Sequence, residues 1–328
     1  MPKINIKLLM ERKKDHITLA AKSQTDKNAI DSRFYYEPMF ATHTNNNIKE
    51  IEFAGKKMKY PIWISSITGG TDKANKINTN LAKAANKFGL GMALGSCRSI
   101  LNKNERFTDF DLRKTIGNEQ PFYANLGIAQ IEKLIANNNT SQISELISKL
   151  NVDGLFVHIN PLQEAFQPEG DKFKTSPIKT LETLLSKIDT NIFVKEVGQG
   201  FGPKSIEALL NLPIKGIEFG AFGGTNFSKL ELLRSENANP LTYVGHTIDE
   251  MIDFINLNSY HKKEIIISGG IKSYLDGYYY TNKVNAKAVY GQAYIMMKYA
   301  SESYDKLENF IKQEIEGLQL ANSLLKIR

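Results

Sequence analysis

Residues 158–170 read HINPLQEAFQPEG and follow directly on the apolar run Gly154-Leu155-Phe156-Val157. A strand that gives way to His158, Asn160, Gln163 and Glu164 leads either into a loop that is merely polar or into groups suited to protons, a divalent cation and a phosphorylated ligand. Glu164 offers the hard carboxylate oxygen that Mg²⁺ takes. That ion often uses only one or two protein carboxylates and fills its shell with water and phosphate oxygens. A solvated loop carboxylate is the plainer reading of the same residue. Gln163 offers an amide to a substrate. Lys195 lies inside the apolar segment IFVKEVG, where an unpaired ammonium would be costly. It therefore calls for an anion, either a glutamate of a neighbouring strand or the N1/C2-carbonyl edge of a reduced flavin.

Two further groups of residues suit phosphate. Arg12-Lys13-Lys14-Asp15-His16 is a compact basic cluster. An arginine fork and a lysine point charge would suit a diphosphate there, although an exposed helix face carries the same residues. Gly223-Gly224-Thr225-Asn226, Gly269-Gly270 and Gly291-Gln292 each follow an apolar segment. Glycine corners allow backbone N–H groups to approach an anion closely, and they also serve as plain tight turns.

These residues need elements to position them, and the chain supplies a repeating pattern. Eight short apolar segments recur, at 62–66, 91–96, 121–127, 154–160, 192–198, 216–222, 264–270 and 286–292. Several are near-continuous hydrophobic runs, as in parallel strands covered on both faces. The stretches between them carry helical periodicity. In 129–150, Ile131, Leu134, Ile135, Ile143, Leu146, Ile147 and Leu150 mostly fall three or four apart. Alternating strand and helix units of about 30 residues predict an α/β fold, a (β/α)8 TIM barrel, with a doubly wound open sheet as the alternative. The expected organisation is one domain over 1–328, with an exposed N-terminal extension at 1–60, the barrel at 61–298 and a C-terminal helix at 299–328. In such a barrel chemistry sits where the strands finish. Those positions carry Ser65, Ser66, Thr68, Ser96, Arg98, Asn125, His158, Asn160, Gln163, Glu164, Lys195, Glu196 and the glycine corners.

Composition narrows the function classes. Of 328 residues 41% are hydrophobic and 23% charged, the balance of a soluble globular protein. No apolar run reaches the roughly 18 residues of a membrane span, so no membrane insertion is expected. The opening MPKINIKLLMERKKDH lacks an apolar secretory core. The single cysteine, Cys97, excludes an intramolecular disulfide and fits a reducing cytoplasm, the expected location. The net charge of +7 comes from lysines scattered along the chain without a basic-aromatic module, so no nucleic-acid partner is expected.

At this level of detail the chain resembles a known family. RKKDH, SSITGG, GSCR, ANLG, HINPLQE, QPEGD, VKEVGQG, GGTNF and SGGIKS resemble, in order, the signatures of type 2 isopentenyl-diphosphate isomerases. The resemblance implies an FMN-dependent barrel that interconverts isopentenyl and dimethylallyl diphosphate with Mg²⁺. Its flavin would be kept reduced by NADPH, with no net redox change. It assigns the diphosphate to Arg12 and Lys13 and a substrate contact to Gln163, with His16, Arg98, His158 and Asn160 lining the pocket. Glu164 would ligate Mg²⁺. FMN would be held by Ser66, Ile67, Thr68, Ser96, Asn125, Lys195, Thr225, Gly269, Gly270, Ile271, Gly291 and Gln292. Members of the family commonly form homo-oligomers, tetramers or octamers. Three residues depart from its usual pattern: Cys97 for Gln, Gly220 for Ser and Lys272 for Arg. A flavin oxidoreductase of the 2-hydroxy-acid oxidase or dihydroorotate dehydrogenase type would instead need a late basic histidine. His246 is the one candidate, and no carboxylate clamp stands beside it. A non-enzymatic flavin- or RNA-binding protein would not need Gln163, Glu164 and Lys195 together.

Overall fold

The computed structural model describes residues 6–41, 48–66, 72–103, 106–258 and 262–328. Eight parallel strands close into a barrel: β1 (Ile62–Ile64), β2 (Gly91–Ala93), β3 (Phe122–Gly127), β4 (Gly154–Ile159), β5 (Ile192–Glu196), β6 (Gly216–Glu218), β7 (Glu264–Ile267) and β8 (Ala288–Gln292). β8 pairs with β1, and β6 with β7, so no sheet edge remains in the barrel. All eight apolar segments read from the sequence hold one of these strands. The strands are shorter than the segments because the polar corner residues leave the ladder. The open-sheet alternative is thereby set aside.

The period-2 alternation of strands divides each one between two layers. Outward residues such as Ile64, Leu155, Val157, Val194 and Ile267 pack with the helices in one large core. Inward residues Trp63, Ala93, Tyr123, Phe156, Phe193, Ile266 and Val289 fill the barrel as a second cluster. Phe156 and Phe193, from neighbouring strands, stack with centroids 5.1 Å apart and planes 11° apart, a favourable offset arrangement. This aromatic plug is the floor on which polar residues nearer the strand ends stand.

Part of the extension proves to be buried, contrary to the sequence-based expectation for 1–60. The hairpin of Ile51–Phe53 and Lys56–Met58 sends Phe53 and Met58 into the barrel cluster, both at 0% exposure. Its turn residue Ala54 has φ 53°. Two bonds hold that left-handed conformation: Ala54 N–H donates to Glu264 Oε2 at 2.7 Å, and Tyr123 O–H donates to the Ala54 carbonyl at 3.0 Å.

The helical expectation for 129–150 holds, while that for 299–328 needs correction. The 129–150 stretch is two helices, Ile128–Ala136 and Ser141–Leu150, separated by a polar turn in which Asn138 has φ 55°. Residues 299–328 are not one helix. A helix over Tyr294–Glu302 ends before Ser303, whose hydroxyl caps a new helix at Tyr304–Leu324. The chain then turns into the strand Leu325–Ile327, paired antiparallel with Phe34–Tyr36 of the extension. The reason is non-local, since strand pairing is available there only because the fold brings the two ends of the chain together. Among the described residues, no helix is long and apolar enough to cross a membrane.

Candidate active site

One register step above the aromatic plug, neighbouring strands bring polar side chains side by side. His158 of β4 pairs with Lys195 of β5, and Lys195 with Glu218 of β6. Lys195 Nζ lies 3.8 Å from Glu218 Oε2, with the two side chains only 9% and 1% exposed. The partner that Lys195 demanded is thus, at least in part, a neighbouring-strand glutamate. At 3.8 Å the contact is an ion pair without a hydrogen bond, and Glu218 Oε2 has no hydrogen-bond partner among the described residues.

His158 is pinned from the other side. Its Nδ1 lies 2.8 Å from Asn125 Oδ1 of β3. With the amide oxygen accepting, Nδ1 carries the proton and Nε2 is the bare nitrogen. Burial, and then the Lys195 charge, hold the imidazole far below its ordinary 6.5, at about 3. His158 is therefore a neutral group in the folded protein at physiological pH. The consequence for stability is definite in sign. Below pH 6.5 the unfolded chain takes up a proton that the folded chain refuses, so stability is full above 6.5 and falls as pH drops from there toward 3. The slope contributed by this group should reach about 1.4 kcal/mol per pH unit. Denaturant unfolding between those limits should show a flatter pH dependence for His158→Gln than for the parent chain.

Above this layer opens a cavity of about 580 Å³, lined by Ser66, Lys195, Glu218, Thr225, the corner Gly269-Gly270-Ile271-Lys272 and the corner Gly291-Gln292. Buried polar groups are nearly always hydrogen-bonded, yet Ser65 Oγ, Ser66 Oγ, Glu218 Oε2 and Gln292 Oε1, all on residues lining this cavity, have no partner among the described residues. Gly269 has φ 94°, and a Cβ there would meet Ala221 backbone at 2.2 Å. The ends of β6 and β7 can therefore approach this closely only around a glycine.

Glu196, also at the rim, accepts the N–H groups of Gly198, Gln199 and Gly200 on one oxygen. Burial raises its carboxyl to about 7 against those donors. Its place is structural: it gathers the 197–200 loop over the end of β5.

A second cluster follows β4. Asn160 Nδ2 donates to Gln163 Oε1 and Glu164 Oε1, both at 3.1 Å. Glu164 Oε2 accepts the Asp171 N–H at 2.7 Å, and Gln163 Nε2 donates to Glu231 Oε1 at 3.2 Å. Glu231 in turn pairs with Arg234. Glu164 and Asp171 line a separate opening of about 600 Å³. Among the described residues, no group of three or more His, Cys, Asp or Glu side chains is placed to hold a metal ion. A cation here would rest on Glu164 and on ligands from outside the chain.

Other residues picked out in the sequence lie elsewhere. Ser96 and Arg98 are exposed, and Arg98 lines a small cavity of about 240 Å³ with Gln130, Lys133 and Gln142. Arg12, Lys13 and His16 are exposed on the helix Ile6–Leu19. Ile67 and Thr68 lie outside the described residues. His246 does not line the main cavity; its ring stands edge-on to Phe254 with centroids 5.9 Å apart.

The three departures acquire a physical context. Cys97 is buried, and burial pushes its thiol up to about 12, which makes it an inert filler. Lys272 lines the cavity while its backbone N–H is tied to Asp276 at 2.8 Å. Gly220 has φ 52°, and a Cβ would fall 2.1 Å from the Glu196 carbonyl. Gly220→Ser should therefore destabilise this chain by about 1–3 kcal/mol, readable as a lowered denaturant midpoint with an unchanged m-value.

Two charged residues escaped the sequence reading. Glu218 sits in GIEFG as Lys195 sits in IFVKEVG, a charge inside an apolar strand, and that signal was available. Glu231 lies in LELLR and gives no local sign of facing Gln163.

The fold and this site define a parallel eight-stranded barrel with a cavity at the C-terminal ends of the strands. Solved structures of similar fold include a flavocytochrome b2 variant with sulfite bound (TM-score 0.63, 14% identity, 94% of this chain and 81% of that one). Another is a mandelate oxidase mutant with the monooxide FMN adduct (TM-score 0.58, 14% identity, 90% and 88%). No protein-family model matches the chain. Sequence relatives are more specific. The isopentenyl-diphosphate delta-isomerase of Rickettsia felis is 31% identical over 340 residues, covering 98% of this chain and 93% of that protein. Its namesake in Picrophilus torridus is 30% identical over 345 residues, covering 98% and 93%. The chain belongs to the isopentenyl-diphosphate delta-isomerase family, as the motifs from RKKDH to SGGIKS implied.

Proposed function

We propose that the protein interconverts isopentenyl and dimethylallyl diphosphate, with reduced FMN in the β5–β8 cavity and Mg²⁺ at Glu164. The observation that carries this reading is the buried Lys195 beside a cavity whose wall holds four polar atoms without a hydrogen-bond partner among the described residues. A flavin nucleotide fits that wall. Its ring edge suits Lys195, its carbonyl and N–H groups suit the serine hydroxyls, and its phosphate suits N–H groups at Gly269-Gly270-Ile271 and Gly291. When bound, the reduced flavin supplies an electron-rich acid/base surface, and Mg²⁺ anchors the diphosphate.

The remaining work falls to the chain's own residues. Lys195 would hold a negative ring edge in a site too dry to tolerate it otherwise. Neutral His158, fixed by Asn125, would present Nε2 as an acceptor without adding positive charge. Gln163, oriented by Asn160 and Glu231, would bind substrate, and Arg12, Lys13, His16 and Arg98 would meet the diphosphate when it is present. NADPH as reductant, a cytoplasmic location and a tetrameric or octameric assembly complete the reading. An α-hydroxy-acid oxidase chemistry is less well supported, because His246 lies away from the cavity.

The test is anaerobic turnover of isopentenyl diphosphate with FMN, MgCl₂ and NADPH. Dimethylallyl diphosphate should form only when all three are present and the flavin is reduced. FMN binding without any allylic product would overturn the proposal.

A further inference from the structure

The cavity's two late glycine corners belong to different strands, and one residue from outside the barrel joins them. Glu314, on the helix Tyr304–Leu324, is 5% exposed. Its Oε1 accepts the backbone N–H of Tyr274, at 3.2 Å, where the helix following Gly269-Gly270 begins. Its Oε2 accepts from Gln292 Nε2 at 3.2 Å, at the end of β8, and from Tyr290 O–H at 3.3 Å, two residues earlier on the same strand. A single carboxylate thus ties the wall after β7 to the wall after β8. The packing leaves little slack, since a Cβ at Gly317, one turn on from Glu314, would lie 2.4 Å from the Tyr274 ring.

We propose that Glu314 is a positioning residue of the cofactor cavity, setting the spacing between the Gly269-Gly270 and Gly291-Gln292 corners and so their grip on a nucleotide phosphate. The inference rests on the flavin reading above. Glu314 touches no ligand itself. Three donors converge on its two oxygens, and a backbone cradle binds an anion only while its N–H groups keep their spacing. Removing the carboxylate frees Tyr274 N–H and Gln292 Nε2 together and lets the two corners part. The C-terminal helix is then a component of the cofactor site, although the helix itself contributes nothing to the lining.

The test is FMN affinity of the full chain, read from flavin fluorescence quenching, for the parent, Glu314→Leu, Glu314→Gln and Leu307→Ala. Leu307 is fully buried on the same helix, about two turns before Glu314, and does not line the cavity. It reports what loss of helix packing does by itself. Glu314→Leu should raise the FMN Kd at least tenfold, and Glu314→Gln, which keeps one acceptor, should fall between it and the parent. Leu307→Ala should stay within twofold of the parent at a comparable loss of Tm. Equal Kd values for the parent and both Glu314 variants, or an equal rise in Leu307→Ala, would overturn the inference while leaving the flavin reading intact. Should Glu314→Leu not fold, the Glu314→Gln comparison decides alone. A parent chain that binds no FMN overturns the flavin reading and this inference with it.

Discussion

Lys195→Ala should lose isomerase turnover by a factor of at least about 100, the scale on which preorganised charge acts in closed sites, and should bind FMN weakly. Two separate effects underlie that loss. The first is the missing ammonium toward the ligand. The second is Glu218, which is 1% exposed and would be left as a buried carboxylate without its cation. Breaking a buried pair from one side typically costs about 3–5 kcal/mol; the 3.8 Å separation puts this pair toward the lower end. Lys195→Met with Glu218→Gln separates the two. The double variant removes both charges at similar volume, so it should recover most of the lost stability in denaturant unfolding while turnover stays low. Recovery of FMN affinity along with stability would show that Lys195 serves the barrel alone.

Glu164→Gln should reduce kcat/KM by about 100-fold and blunt the Mg²⁺ dependence, because an amide oxygen is a far weaker ligand for a hard cation than a carboxylate. Stability should change little. Glu164 is half-buried on the short helix Pro161–Phe166, and the glutamine can still accept the Asp171 N–H that Glu164 Oε2 accepts at 2.7 Å, giving up only the neutral contact from Asn160 at 3.1 Å. The measurement is the initial rate across a MgCl₂ series for both proteins. Parallel Mg²⁺ curves differing only in height would remove the metal from Glu164. Curves that coincide would remove Glu164 from the chemistry altogether.

How much of this could be read in advance differs between elements. The eight strands were legible because each must be apolar on both faces in a barrel covered by helices, and that requirement is written into every segment from Ile62 to Gln292. Lys195 was legible for the converse reason, since a charge inside such a run needs a partner. The glycine corners were legible because converging strand ends leave no room for a side chain at Gly269 and Gly291, and Gly223 takes a φ of 127° that other residues avoid. The sequence by itself therefore determined the class of fold, the end of the barrel at which the cavity opens and most of the residue types that line it.

Partnerships were decided only by the tertiary structure. His158, Lys195 and Glu218 share a layer because barrel closure fixes the register between β4, β5 and β6. A single strand's pattern carries no record of its neighbour's register. The 51–58 hairpin became a plug, and 325–327 became a strand beside 34–36, because the folded barrel offered each a surface and a partner. Glu231 and Glu314 lie in amphipathic helices, where periodicity reports only which face is buried. Which polar residue on that face meets Gln163 or Gln292 depends on where the helix docks, and docking is set by close packing across the whole core.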